Sequence, residues 1–481
     1  MIQAAKILEQ RSHLVPGKLR ITEHFFQVPR DYKNPGLGNL TLFARSARKV
    51  DSTPSLTNKP EPKLPWLLYL QGGPGFECAS PEKQPWINFI LDKGYQVLTL
   101  DQRGTGLSTA ISQSSLQLRG DENVQTEYLK AFRADNIVRD CEAIRKALTA
   151  DQSEGVDENA EERKWTIMGQ SFGGFCCTTY LSFFPDGVKE AFLLGGLPPV
   201  RNNPDDVYAR LYPRVKRRNE AYYKKYPEDV ERVRRIVKFL TRFGDTTVRV
   251  QGGEGYLSAR RFLMLGISFL AHGGIDQVHE IVLRADNDLT LFGHLTRPTV
   301  IAIEHAQPWD TNVIYFLLHE PCYCQGAAAN WSANRVLSSN PEFIPEDLHA
   351  FASKPDSSDE QQDGAKNEKN PVLFTGEMIF PHMFDSFPEL KKLQPVGEAL
   401  AQVSDWPRLY DEAQLARNEV PVYAAVYMDD MAVDYDLSVE RAQGIKGIKT
   451  FVTNTMYHNA IRAKTDEVLQ QLFKLKEDVI D

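Results

Sequence analysis

The chain has 481 residues, more than the ~250–300 at which a single hydrophobic core usually stops growing, so we expect two structural parts. A content of 42% hydrophobic and 25% charged residues is typical of a globular protein and argues against general disorder. The net charge of −8 argues against a nucleic-acid partner. No apolar run approaches the ~20 residues that cross a bilayer, and we see no secretory signal, so no membrane association is expected.

Cysteine usage indicates a reducing compartment. The chain forms no CxxC pair and no metal-spaced cluster of histidine and cysteine, and its cysteines are few for its length. The six are Cys78, Cys141, Cys176, Cys177, Cys322 and Cys324. We therefore expect buried thiols, a cytoplasmic location and no disulfide framework.

Short apolar strands alternate with helical patterns in the first 200 residues. The predicted strands are 39–46, 66–71, 95–101, 165–170 and 192–195. Further strands are predicted at 420–427 and 449–453, followed by a closing amphipathic helix. This alternation is typical of an α/β fold with a mostly parallel sheet that helices cover on both faces.

A helix-rich, charged stretch interrupts this α/β pattern. We predict a first part of the core at 1–204, a helical cap insert at 205–406 and a second part of the core at 407–481. Within the insert, the segment 353–370 is polar and poor in apolar residues, which favours a surface loop.

The strongest local signal is Gly169-Gln170-Ser171-Phe172-Gly173, which follows a predicted strand and precedes a helical run. This is the G-x-S-x-G nucleophile elbow in its strand–turn–helix context, and it makes Ser171 the candidate nucleophile. The flanking glycines are needed because a larger residue would crowd the neighbouring backbone of the turn.

Two glycine-containing loops follow neighbouring strands. In the sequence QGGPG, the amides of Gly72 and Gly73 are candidates to stabilise a developing oxyanion, together with the amide of Phe172 after the nucleophile. The second loop, DQRGTGLS, begins at Asp101 and is either a support for the elbow or a tight turn without chemistry.

Three motifs in this order and spacing, LYLQGGPGFE, DQRGTGLS and GQSFGG, resemble the prolyl aminopeptidase (proline iminopeptidase) family of α/β-hydrolase serine peptidases. Its shorter members have histidine at the position of Gln71, so the chain is similar to the longer form. The resemblance continues through RRNEAYYKKYP and LFTGEMIFP to AAVYMDDMAVD, over most of the chain. It implies an α/β-hydrolase core with a helical cap.

A serine nucleophile needs a base and an acid, which α/β-hydrolases present in the order Ser, Asp or Glu, His. Among the histidines, His458 alone lies beyond the last predicted strands, between strand and closing helix, and is the candidate base. Four aspartates follow the strand 420–427: Asp429, Asp430, Asp434 and Asp436. The position just past the strand end favours Asp430 over Asp429, while Asp434 and Asp436 are expected in a solvated turn.

The resemblance also implies how the substrate amine is held. In the shorter relatives two cap glutamates bind it, and the similar segments here contain Glu320, in LLHEPCY, and Glu377, in FTGEMIFP. The alternative for each is a helix cap or an ion pair with an arginine of the insert. A buried protonated amine requires such anionic partners because an unpaired charge is costly.

The resemblance implies release of an N-terminal residue, preferably proline, from peptides with a free N-terminus through an acyl-enzyme on Ser171. This chemistry requires no metal or organic cofactor, and the sequence contains no HExxH ligand motif. The alternatives are another serine α/β-hydrolase, an esterase or amidase with the same core, and a binding protein that has kept the fold. The oligomeric state stays open.

Overall fold

A computed structural model describes residues 2–50, 63–150, 160–242, 247–250, 255–343 and 371–479. The predicted surface loop 353–370 lies outside these ranges. The chain forms two compact units. The first contains 1–203, 312–329 and 399–481, and the second contains 204–311 and 330–398.

The first unit is built around one sheet in which nine described strands follow the order β1-β2-β3-β5-β4-β6-β7-β8-β9. The strands are β1 (Lys6–Val15), β2 (Leu19–Pro29), β3 (Asn39–Lys49), β4 (Trp66–Leu70), β5 (Gln96–Asp101), β6 (Trp165–Gln170), β7 (Val188–Leu194), β8 (Val422–Tyr427) and β9 (Ile448–Thr453). Strands β4 to β9 run parallel, whereas β1, β2 and β3 join the sheet through antiparallel pairs. The predicted α/β class with a mostly parallel sheet is thus confirmed.

The central strands form where the sequence reads as apolar runs. Strands β6 and β8 are buried at every position, as expected where helices cover both faces of a parallel sheet. On one face, Met168, Phe192 and Tyr427 join the hydrophobic core with the closing helix. This packing holds the carboxyl ends of β6 and β8, which precede the candidate nucleophile and acid, in one rigid frame.

The hairpin of β1 and β2 was not predicted from the sequence. Strand β1 is exposed at almost every position on both faces, so it carries no alternating apolar pattern. Strand β2 alternates between buried and half-buried residues along part of its length and pairs with β3 over eleven positions. Pairing with β2, rather than burial of its own side chains, therefore defines β1.

Helices surround the sheet of the first unit. They are α1 (Ile87–Asp92), α2 (Gln113–Gln117), α3 (Glu122–Leu129), α4 (Ala134–Thr149), α5 (Phe172–Phe183), α11 (Val313–Leu317), α16 (Glu412–Ala416), α17 (Tyr435–Gln443), α18 (Ala460–Ala463) and α19 (Thr465–Glu477), numbered in chain order through the whole protein. No described helix is long and apolar enough to cross a membrane.

The second unit is helical in its described part. Its helices are α6 (Asp205–Lys225), α7 (Asp229–Arg242), α8 (Ala259–Leu263), α9 (Gly274–Phe292), α10 (Arg297–His305), α12 (Ser332–Leu337), α13 (Met383–Ser386) and α14 (Pro388–Lys391). Helix α15 (Gln394–Gln402) contains the boundary at 398/399. Aromatic rings of Tyr222, Phe262 and Phe269 all contact Phe374, which gives this unit its own core.

The division differs from the predicted continuous insert at 205–406, because 312–329 and 399–406 group with the first unit. The physical reason for the first segment is close packing on the loop after β4. A Cβ on Gly75 would lie 2.6 Å from the backbone nitrogen of Tyr315, and the rings of Phe76 and Tyr315 are 4.7 Å apart. A segment inside the helical stretch thereby becomes part of the α/β unit.

Candidate active site

Ser171 lies on a strained turn between β6 and α5. Its backbone has φ 56° and ψ −126°, a conformation that residues with a side chain rarely adopt. Its amide donates to the carbonyl of Leu194 at the end of β7, at 3.0 Å, which ties the turn to the sheet. The hydroxyl is thus presented at the carboxyl end of the parallel strands, as a nucleophile elbow requires.

The glycines around Ser171 are dictated by contact with backbone. A Cβ on Gly169 would lie 2.2 Å from the carbonyl oxygen of Gly173. A Cβ on Gly174 would lie 2.3 Å from the carbonyl oxygen of Gly196. Rigid backbone atoms cannot move aside as a flexible side chain can, so a larger residue at these positions would displace the elbow.

His458 joins the nucleophile to an acid. It lies in the loop between β9 and α18, and its Nε2 is 2.8 Å from the hydroxyl oxygen of Ser171. Its Nδ1 is 2.7 Å from Oδ2 of Asp430. A carboxylate at Nδ1 favours the tautomer that carries its proton there, so that the unprotonated Nε2 can accept the proton of the Ser171 hydroxyl.

The candidate aspartates for the catalytic acid differ in burial and in hydrogen bonding. Asp430 is 2% exposed, and its Oδ1 accepts the amides of Ala432 at 2.8 Å and Val433 at 3.2 Å, so both oxygens have partners. Asp429 is exposed. The expectation of a solvated turn was wrong for Asp434, which is buried and caps α17 by accepting the amide of Leu437.

The structure brings two of the three predicted oxyanion donors against the elbow. A Cβ on Gly72 would lie 3.1 Å from Cβ of Ser171, so this glycine borders the nucleophile. Phe172 is the first residue of α5, where a backbone amide has no acceptor within its own helix. Gly73 follows with φ 130°, which brings its backbone against Gly75 and Phe76. Amides at a helix start and a glycine turn suit a developing negative charge.

Asp101, at the end of β5, organises the loop that contains these glycines. Its carboxylate accepts the amides of Cys78 and Leu107, both at 2.9 Å. Burial raises the pKa of this carboxyl, although the two amide hydrogen bonds oppose the shift. The neighbouring Gln102 donates to the carbonyl of Gln71 at 3.1 Å. The loop DQRGTGLS is therefore a support for its neighbour, a role that sequence reasoning left open.

The thiols that follow Ser171 in α5 are not competing nucleophiles. Cys176 and Cys177 are fully buried, and burial raises the pKa of both thiols, so they stay protonated. All six cysteines are buried and none is in a disulfide. Among the described residues, no group of three or more His, Cys, Asp or Glu side chains is arranged to hold a metal ion.

The two predicted amine-binding glutamates lie in different units. Glu320 is 3% exposed and begins the 3₁₀ turn Glu320–Tyr323 of the first unit. The ring of Tyr323 in that turn packs edge-on against the ring of Phe175 of α5, and the two ring centroids are 5.7 Å apart. This turn therefore packs against the helix that follows the nucleophile. Glu377 is half-buried in the second unit. Nearby, Phe374 is held by reciprocal hydrogen bonds with Asn219.

Comparisons with known proteins agree with this geometry. A protein family described as alpha/beta hydrolase fold matches residues 65–249. "Proline iminopeptidase aneH" of Aspergillus aculeatus is 46% identical over 481 residues, which are 100% of this chain and 99% of that protein. "Proline iminopeptidase" of Aeromonas sobria is 36% identical over 468 residues, 97% of this chain and 99% of that protein.

Among solved structures, the bromoperoxidase from Bacillus anthracis is 10% identical with a TM-score of 0.39, covering 94% of this chain and 99% of that chain. The fold and the site have the features of a serine hydrolase of the α/β-hydrolase class. These features are the mostly parallel sheet, the nucleophile elbow and the contacts among Ser171, His458 and Asp430. Within that class, identity over the full length of two relatives is decisive: the chain belongs to the proline iminopeptidase family.

Proposed function

We propose that this chain is a serine exopeptidase that releases the N-terminal residue, preferably proline, from peptides with a free N-terminus. The observation that carries the chemistry is the pair of contacts that joins Ser171 Oγ, on a nucleophile elbow, through His458 to Asp430. The preference for proline is supported by the two full-length relatives, each named a proline iminopeptidase.

The reaction proceeds through an acyl-enzyme. Ser171 Oγ attacks the carbonyl carbon of the N-terminal residue while its proton passes to Nε2 of His458. The carbonyl oxygen becomes an oxyanion that the amides of Gly72 or Gly73 and Phe172 stabilise. When the C–N bond breaks, His458 returns the proton to the leaving amine, and the shortened peptide departs.

Water completes the cycle. His458 accepts a proton from a water molecule, whose oxygen attacks the acyl carbon and displaces Ser171 Oγ, which regains a proton from His458. Asp430 stabilises the imidazolium that forms in each half of the cycle and keeps the ring oriented. Oxidation states do not change, and water is the only co-reactant.

Recognition of a free amine distinguishes an aminopeptidase from an esterase or amidase with the same core. We propose that Glu320 and Glu377 supply negative charge to the substrate's protonated amine, as the resemblance to shorter family members implies. The position of Glu320 supports this role, because this buried residue begins the turn whose Tyr323 packs against the helix that follows the nucleophile.

The test compares arylamides of free proline, N-acetylproline and a panel of other amino acids, together with a short acyl ester. We expect turnover of the free prolyl substrate and a loss of at least about 100-fold on N-acetylation, which removes the charge that must be paired. Equal cleavage of the acetylated and free substrates, or cleavage of the ester alone, would instead indicate an esterase or amidase.

We also propose that the enzyme is located in the cytoplasm. Six buried thiols without a disulfide are compatible with the reducing cytoplasm. Fractionation of cells with an antibody against the chain tests this location.

A further inference from the structure

Gln170, directly before the nucleophile, is a buried polar residue in an otherwise mainly apolar strand. It ends β6, is 5% exposed and follows the run Trp-Thr-Ile-Met-Gly. A buried side-chain amide must find hydrogen-bond partners, since an unsatisfied amide is costly. The hydrogen-bond partner of this amide therefore indicates what a polar side chain does beside Ser171.

The amide of Gln170 reaches the backbone of the candidate base. Its Nε2 donates to the carbonyl oxygen of His458 at 3.1 Å, across 288 positions of sequence. Its Oε1 lies 2.9 Å from the place that a Cβ on Gly72 would occupy. One side chain thus contacts the loop of the base and the loop of the oxyanion donors while its own backbone precedes Ser171.

The loop that carries His458 needs such an anchor. His458 lies outside regular secondary structure, between β9 and α18, and its imidazole must meet Ser171 Oγ at 2.8 Å. The contact to Asp430 restrains the ring, whereas the hydrogen bond from Gln170 restrains the backbone. A displacement of about 1 Å in a reacting group can lower a rate by about 100-fold.

We propose that Gln170 is a positioning residue that sets the distance between His458 and Ser171 by binding the backbone carbonyl of residue 458. The inference rests on the proposed roles of Ser171 and His458 as nucleophile and base. It does not depend on the substrate being an N-terminal proline. Gln170 itself donates no proton to the substrate and acts through the base alone.

The test is Gln170→Met, which keeps the length of the side chain and removes its donor. We measure kcat and KM on a prolyl arylamide and, separately, the rate at which a fluorophosphonate labels Ser171. We expect kcat and the labelling rate to fall by about 10- to 100-fold, with KM within about twofold of the wild-type value. Labelling needs no amine recognition, so it reports on Ser171 and His458 even if the peptidase assignment fails.

A matched control removes a comparable buried amide elsewhere. Gln307 of the second unit is 1% exposed, and its Nε2 donates to the carbonyl of Arg261 at 2.6 Å. Gln307→Met should lower the thermal midpoint while leaving kcat and labelling near wild-type values. Wild-type labelling of Gln170→Met would overturn the proposal. So would equal losses of labelling in the two variants, because general destabilisation would then explain both.

A second variant keeps the test decisive if Gln170→Met does not fold. In Gln170→Glu an ionised carboxylate would face the carbonyl of His458, whereas its protonated form can still donate. We expect its labelling rate, divided by that of the wild type at the same pH, to decrease as the pH rises through the carboxyl pKa. A ratio that stays near one at every pH would contradict the proposal.

Discussion

The carbonyl oxygen of Leu70, the last residue of β4, occupies the space that a side chain at Gly173 would need. A Cβ on Gly173 would lie 2.0 Å from that oxygen. The nucleophile helix therefore begins in direct contact with the strand that leads into the oxyanion loop, and only glycine permits this approach. This contact determines how close Ser171 and Gly72 come to each other.

We therefore expect Gly173→Ala to destabilise the protein by about 3 kcal/mol and to abolish activity in any folded fraction, because neither backbone can yield. Thermal unfolding and fluorophosphonate labelling measure both effects. The control is Gly444→Ala, where a Cβ would lie 3.4 Å from the carbonyl of Arg441 and φ is −82°. An active Gly173→Ala with an unchanged midpoint would contradict this account of the elbow.

Ser171 and His458 should behave as one catalytic unit. Ser171→Ala and His458→Ala are each expected to lower kcat by at least about 10³-fold, and the double variant should lose little more, since either change stops proton transfer. Circular dichroism and thermal midpoints should stay near the wild type. Multiplicative losses in the double variant would show that the two side chains act independently.

Substitution of the two neighbouring aspartates should have different effects on kcat. Asp430→Asn should lower kcat by about 10³- to 10⁴-fold, because the amide cannot stabilise the imidazolium and favours the wrong tautomer. Asp429→Asn, at an exposed position beside it, should keep kcat within about twofold. Steady-state rates on a prolyl arylamide decide between them, and a larger loss at Asp429 would remove Asp430 from the proposed triad.

The glutamates should affect substrate binding rather than the nucleophile. Glu320→Gln and Glu377→Gln are each expected to lower kcat/KM for a free prolyl arylamide by about 10- to 100-fold, since each removes a charge that is proposed to pair with the amine. Fluorophosphonate labelling should stay within about threefold of wild type. A variant that loses labelling and turnover in the same proportion would indicate a structural role for that glutamate.

Stability below neutral pH should depend on His24. This residue of β2 is 4% exposed, with ring nitrogens 2.9 Å from Nε2 of Gln10 and from Oγ of Ser46. Burial lowers the pKa of His24 from 6.5 to about 4. Because the folded state resists protonation, the stabilisation is complete above about pH 6.5 and is lost as the pH falls toward about 4.

The difference between these two pKa values corresponds to at most about 3 kcal/mol. His24→Gln removes the titration, so its urea midpoint should fall less than that of the wild type between pH 7 and pH 4.5. The exposed His13 of neighbouring β1 provides the control, and His13→Gln should follow the wild type. Parallel decreases in the wild type and His24→Gln would exclude His24 as the source of acid sensitivity.

Much of the fold could be predicted because its central strands are buried on both faces. The expected strand at 165–170 coincides with β6, and those at 66–71 and 449–453 differ from β4 and β9 by one residue. Buried parallel strands read as apolar runs between turn residues, a signal contained in the local sequence. The nucleophile could equally be predicted from the sequence, because an elbow needs its glycines within three positions of Ser171.

Tertiary structure decided whatever depends on partners far along the chain. Pairing with β2 makes β1 a strand although its side chains are exposed, and packing against Gly75 brings 312–329 into the α/β unit. Four aspartates after β8 share one local context, and it is the carboxylate of Asp430 that lies 2.7 Å from Nδ1 of His458. The hydrogen bond from Gln170 to the carbonyl of His458 likewise spans 288 positions. Such contacts depend on where segments that are distant in sequence lie in the folded protein, and the spacing of residues within one segment does not specify this.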